Sequence, residues 1–121
     1  MRIIVLSLLV TAALSPPAYA ASYPVSGKWG ESTSTEKGAI DCEGKRVIAF
    51  SGDQRHDSNG GVPDYRNVTV TPQGVSRFRV VDTFANAQVS NPHTEYTLQQ
   101  IDADHIELQT QGGTIKLQRC R

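Results

Sequence analysis

The chain has 121 residues, 12 Lys+Arg against 12 Asp+Glu, and an apolar content of 38%. That length holds one domain and leaves no room for a second. The balanced charge gives no footing for nucleic acid or an anionic membrane surface as partner.

The first 20 residues read as an export signal. Arg2 precedes the 12-residue apolar run Ile3–Leu14, then come Ser15-Pro16-Pro17 and the small-residue site Ala18-Tyr19-Ala20. A basic start, a short apolar stretch and a small-residue site are the three parts of a secretory signal. The run is too short for a membrane anchor. Cleavage is expected after Ala20, leaving residues 21–121 as a single domain in the periplasm or secreted. Both cysteines, Cys42 and Cys120, lie in that domain. In an oxidising compartment they are expected to form one disulfide, since two thiols without a nearby His pair make a poor zinc site.

In the exported part Val, Ile and Thr together number 23, against three Leu. β-branched side chains of this kind suit a pleated, half-buried surface. Apolar residues recur with period 2 and no sustained period of 3.6. In chain order the sequence predicts strands over 25–31, 45–50, 66–71 and 75–84. Three more follow over 94–101, around Ile106 and Leu108, and over 114–120. Pro72-Gln73-Gly74, Asp102-Ala103-Asp104 and Gly112-Gly113 mark the turns between later strands. Ile115 and Leu117 are placed facing inward. Seven or eight short strands joined by hairpin-length turns make an all-β antiparallel meander, closed as a barrel or folded as a sandwich.

Residues 51–64 carry three Gly, one Pro and almost no apolar content, and are read as a surface loop. The loop concentrates His56, Asp53, Asp57 and Asp64. An EF-hand register set on Gly60 would put Arg55 and Arg66 at ligand positions, which excludes that site. His93 and His105 sit beside turns and are expected to be exposed. No H-E-x-x-H, C-x-x-C or G-x-S-x-G occurs, so no catalytic residue, metal ligand or cofactor is assigned. The chain is read as a non-enzyme.

Asn67-Val68-Thr69 matches a glycosylation sequon but falls inside a predicted strand. Arg77 and Arg79 share one strand face and are read as solvated. Phe78, Val80 and Phe84 share the other face with Asp82. A carboxylate on an apolar face must be hydrogen-bonded, paired or at the rim. Asp82 and Tyr96 are therefore candidates for the polar lining of a barrel cavity, with Asp82 at the strand's wet end as the alternative.

The first strand carries Gly27-Lys28-Trp29. A G-x-W at the start of an exported antiparallel barrel resembles the opening of the lipocalin and avidin-like group. The resemblance implies that Trp29 packs across the barrel floor with Arg119, on the last strand, lying over it. It also implies a small apolar or amphipathic ligand at the barrel mouth, with Trp29, Phe78, Asp82, Tyr96 and Arg119 as the binding residues. Cys42-Glu43-Gly44-Lys45 with a cysteine near the C-terminus is similar to the frame of bacterial periplasmic lysozyme inhibitors, whose S-x-S-G-x-x-Y loop this chain lacks. Small exported protease inhibitors also use short G-x-W barrels. There the disordered N-terminus, here Ala21 to Ser26, would enter the protease cleft. A hydrolase inhibitor acting on a protein partner is thus the alternative to a small-ligand carrier.

Overall fold

A computed structural model describes residues 21–86 and 88–121. The proposed export signal lies outside the described residues. Eight strands run in order: β1 Gly27–Glu31, β2 Val47–Ser51, β3 Gln54–Asp57, β4 Asp64–Pro72, β5 Arg77–Thr83, β6 His93–Gln100, β7 His105–Thr110 and β8 Gly113–Arg119. Each pairs antiparallel with the next, and β8 returns to β1 through Trp29↔Arg119 and Gly30↔Gln118, closing the sheet into a barrel. The fold is all-β, as the period-2 pattern predicts.

Alternation decides what lies inside. Trp29, Ile48, Val80, Leu98, Leu108 and Leu117 come from six different strands and are all at most 1% exposed. Burying each aliphatic side chain contributes about 1.5–3 kcal/mol. Ile115 and Phe78 pack against this core from its margin.

Three sequence expectations need correction. Residues 51–64 are not one loop, because Gln54–Asp57 form β3, paired with both β2 and β4. Its inward positions are Arg55 and Asp57, both buried, so a strand search based on apolar alternation is blind to it. Strand 75–84 is shorter than expected, and Val75 stands fully exposed in the turn before β5. In β4 the register shifts between Asn67 and Thr69. This bulge puts buried Asn67 and half-buried Val70 on the inner side and leaves Val68 41% exposed.

Between β1 and β2 the chain makes a strap over the outside of the β1/β8 seam. Ser32 Oγ donates to Gln118 Oε1, and Gln118 Nε2 donates to the carbonyls of Glu36 and Gly38 at 2.9 and 3.0 Å. Ile40 then bridges to Cys120, and the Cys42–Cys120 disulfide fixes the strap at the end of the barrel where β1 begins. Gly30 faces this disulfide, and a Cβ there would run into Sγ of Cys42. A bare backbone is what lets the bridge lie flat on β1.

Candidate ligand-binding site

Asp82 points into the barrel from β5 and is 0% exposed. It is not at a wet strand end, so burial must be offset by hydrogen bonds. Its Oδ2 accepts from Arg55 Nε and from the Tyr96 hydroxyl, both at 3.0 Å. Oδ1 accepts from Asn67 Nδ2 at 3.2 Å. The same amide nitrogen donates to the carbonyls of Thr69 and Val81, so Asn67 both staples the bulge and serves the carboxylate. Its burial also removes the sequon asparagine from the surface.

The Arg55 guanidinium lies 3.7 Å from the centre of the Tyr65 ring and 5.1 Å from that of Tyr96. Phe84 packs edge-on against Tyr65 at 5.5 Å. The cation is thus held between aromatic faces and paired to one carboxylate. Among the described residues, Nε is its only hydrogen-bonded nitrogen. Two buried polar atoms of this neighbourhood also lack partners: the Tyr23 hydroxyl and Asn67 Oδ1. Tyr23 lies close enough to feel both Asp82 and Arg55.

Burial, then the Asp82 charge, raises the phenols of Tyr23 and Tyr96 above their ordinary value of 10.0, against the opposing pull of Arg55. Both remain neutral across the physiological range, and Tyr96 is the one that donates to Asp82. A raised folded-state pKa stabilises the fold below the unfolded value and loses that contribution as pH climbs past it. Stability should therefore fall above about pH 10, and a pH titration of tyrosinate absorbance should show Tyr23 and Tyr96 ionising only as the barrel unfolds. Replacing both by Phe should remove that part of the alkaline loss.

Of the five residues assigned from sequence, Asp82 and Tyr96 meet in this cluster. Trp29 and Arg119 meet elsewhere, at the end of the barrel where β1 begins. There Arg119 lies 4.4 Å over the indole and donates from Nε and Nη2 to the Ala103 carbonyl. The indole Nε1 donates to Ser26 O. Phe78 is half-buried beside Leu98, its cross-strand neighbour, apart from both groups. The predicted Arg–Trp stack is present and works as a plug for that end.

Arg55, Tyr65 and Asn67 were missed. The signal that would have found Arg55 is the demand of Asp82 itself: a carboxylate facing inward requires an inward cation on a nearby strand. Tyr23 and Val25 are buried as well, so Ala21–Ser26 is docked against the barrel rather than disordered.

The histidines take other places. His56 Nδ1 meets Asp64 Oδ1 at 2.8 Å, in an open groove of about 590 Å³ that also takes in Arg66 and reaches Arg55, Tyr65 and Phe84 of the cluster. His105 is not exposed as expected: its side chain is 13% accessible and its Nδ1 meets Asp102 at 2.8 Å. No hydroxyl is hydrogen-bonded to either imidazole among the described residues. Asp57, weighed as a calcium ligand, is buried and held by Arg46 through Nε and Nη2 at 3.0 and 2.7 Å. Burial pushes its carboxyl up, but the Arg46 hydrogen bond and the Asn59 amide outweigh this and hold it below the ordinary 3.8.

Compared with protein-family models, with curated proteins and with solved structures, the chain matches none.

Proposed function

We propose that the chain is an exported, non-catalytic barrel that binds a small amphipathic ligand, with the ligand's polar end recognised by Arg55, Asp82 and Tyr96. The observation that carries this reading is the buried Arg55–Asp82 pair, 7% and 0% exposed, with partnerless polar atoms around it. Apolar side chains of similar volume serve stability as well as a buried ion pair does, or better, by about 1–4 kcal/mol. A few convergent polar groups among aromatic walls are instead what a small-ligand site requires. The disulfide supports an oxidising compartment.

The test is native mass spectrometry of the protein recovered gently from expressing cells. A reproducible extra mass that is lost on denaturation, and absent from a folded Arg55→Met/Asp82→Leu variant, is the expected result. A bare wild-type protein would count against the reading.

The open groove at His56, Asp64 and Arg66, which also reaches Arg55 and Tyr65, favours a second reading, a protein-binding inhibitor of a hydrolase that uses this face. The N-terminal insertion version has less support, since Tyr23 and Val25 would have to leave the core first. Loss of partner capture on Arg66→Glu, with native-like stability, would favour the groove.

A further inference from the structure

We propose that Tyr23 is a removable plug standing in the ligand's place, and that the ligand is a para-substituted phenol whose hydroxyl takes the position the Tyr23 hydroxyl approaches. The inference rests on the small-ligand reading above and names the ligand class and the gate.

The attachment of Tyr23 is slight for so buried a residue. It lies outside the strands and is 7% exposed. Among the described residues, its backbone is tied to the barrel by a single bond, from its N–H to Gly52 O at 3.0 Å. Pro24 follows and has no N–H to donate. The ring meets Phe50 edge-on at 5.0 Å. A para-substituted ring is thus already the shape the interior accepts, and an aromatic partner suits Phe50 better than an aliphatic one.

The hydroxyl is the weak point of the plug. Among the described residues it is buried without a well-formed hydrogen bond, although Asp82 and Arg55 are near enough for weak ones. A free phenol carries no backbone tether: it can donate to the carboxylate and accept from an Arg55 N–H not engaged by Asp82. Exchanging an unsatisfied buried hydroxyl for a satisfied one favours the ligand by roughly tenfold or more. The charge balance selects a neutral ligand. Arg55 is already paired with Asp82, so a carboxylate would face Asp82 as a second anion, whereas a phenol supplies a donor and an acceptor without charge.

The probe is 4-methylphenol, which is the tyrosine side chain without its tether, with toluene as the same shape lacking the hydroxyl. Calorimetric titration of the disulfide-bonded protein should give binding to Tyr23→Ala roughly tenfold or more tighter than to wild type, where the plug must first leave. Toluene should bind that variant roughly tenfold or more weaker than 4-methylphenol. In wild type, saturating 4-methylphenol should speed hydrogen exchange of the Tyr23 amide while β5 and β6 stay protected. Should Tyr23→Ala fail to fold, Tyr23→Val serves for the same comparison. Tyr23→Phe should match or exceed wild-type stability, because no well-formed hydrogen bond is lost.

Equal affinity for toluene and 4-methylphenol would overturn the proposal, as would a folded Tyr23→Ala that binds neither. A native small molecule that leaves the Tyr23 amide protected would overturn the plug yet leave the ligand-binding reading standing. Displacement of Tyr23 by 4-methylphenol in a protein that carries no native ligand would uphold the plug and remove the carrier.

Discussion

Replacing Arg55 with alanine should destabilise the barrel by about 3–5 kcal/mol, the usual cost of leaving one member of a buried ion pair behind. Asp82, 0% exposed in the intact barrel, would keep only the Tyr96 hydroxyl and the Asn67 amide to serve it. It would have to bind a proton or draw water into the core. Tyr65 would lose the cation that lies 3.7 Å from its ring centre. The double variant Arg55→Met/Asp82→Leu removes both charges and should be more stable than the single variant, although the Tyr96 hydroxyl then lacks its acceptor at a cost of about 1–3 kcal/mol. Urea unfolding monitored by Trp29 fluorescence measures both. A single variant that costs under about 1 kcal/mol would mean that the pair is solvated in solution, and the binding site argued from it would go too.

Removing the disulfide should cost nearly as much. Cys42 and Cys120 are 78 residues apart, and the chain-entropy relation gives about 4.5 kcal/mol for a closed loop of that size. Small domains hold about 5–15 kcal/mol in all, so Cys42→Ser/Cys120→Ser should sit near its unfolding threshold at physiological temperature. The loss should be ordered. The strap is held by Gln118, Asp104, Ile40 and the bridge itself, so the amides of Gly38, which donates to Asp104, and of Ile40, which donates to Arg119 O, should exchange faster in the reduced protein before those of β5 and β6 do. A melting temperature unchanged by reductant, with the thiols shown to be free, would contradict the role given to the bridge.

What the sequence revealed followed its apolar side chains. β5, β6 and β8 were legible because Val80, Leu98 and Leu117 each recur two positions from another inward apolar residue, Phe78, Tyr96 and Ile115 respectively. The cysteine pairing followed from their number. The same rule failed where inward positions are charged. β3 reads Gln-Arg-His-Asp, and only its partners, Asp82 for Arg55 and Arg46 for Asp57, make those charges tolerable inside. Those partners are 27 and 11 residues away, beyond any local window. His105 looked exposed because it follows a turn, but the strap crosses nearby, and nothing in residues 32–46 announces where that segment lies. For the candidate site, Asp82 and Tyr96 were visible as an oddity on an apolar face. Arg55, Tyr65 and Tyr23 became visible only once the barrel had closed around them.

The β1/β8 seam imposes an order in time. Trp29 meets Arg119, Lys28 O accepts from the amide of Cys120, and Ile40 O accepts from that of Arg121. The opening strand therefore has no partner on one side until residues 117–121 are available. Every earlier species is an open sheet with two bare edges. Closure joins the most distant pairs of all, a topology that folds slowly. For this chain, closure of the barrel is an event that follows the synthesis of β8 rather than one that accompanies the emergence of β1.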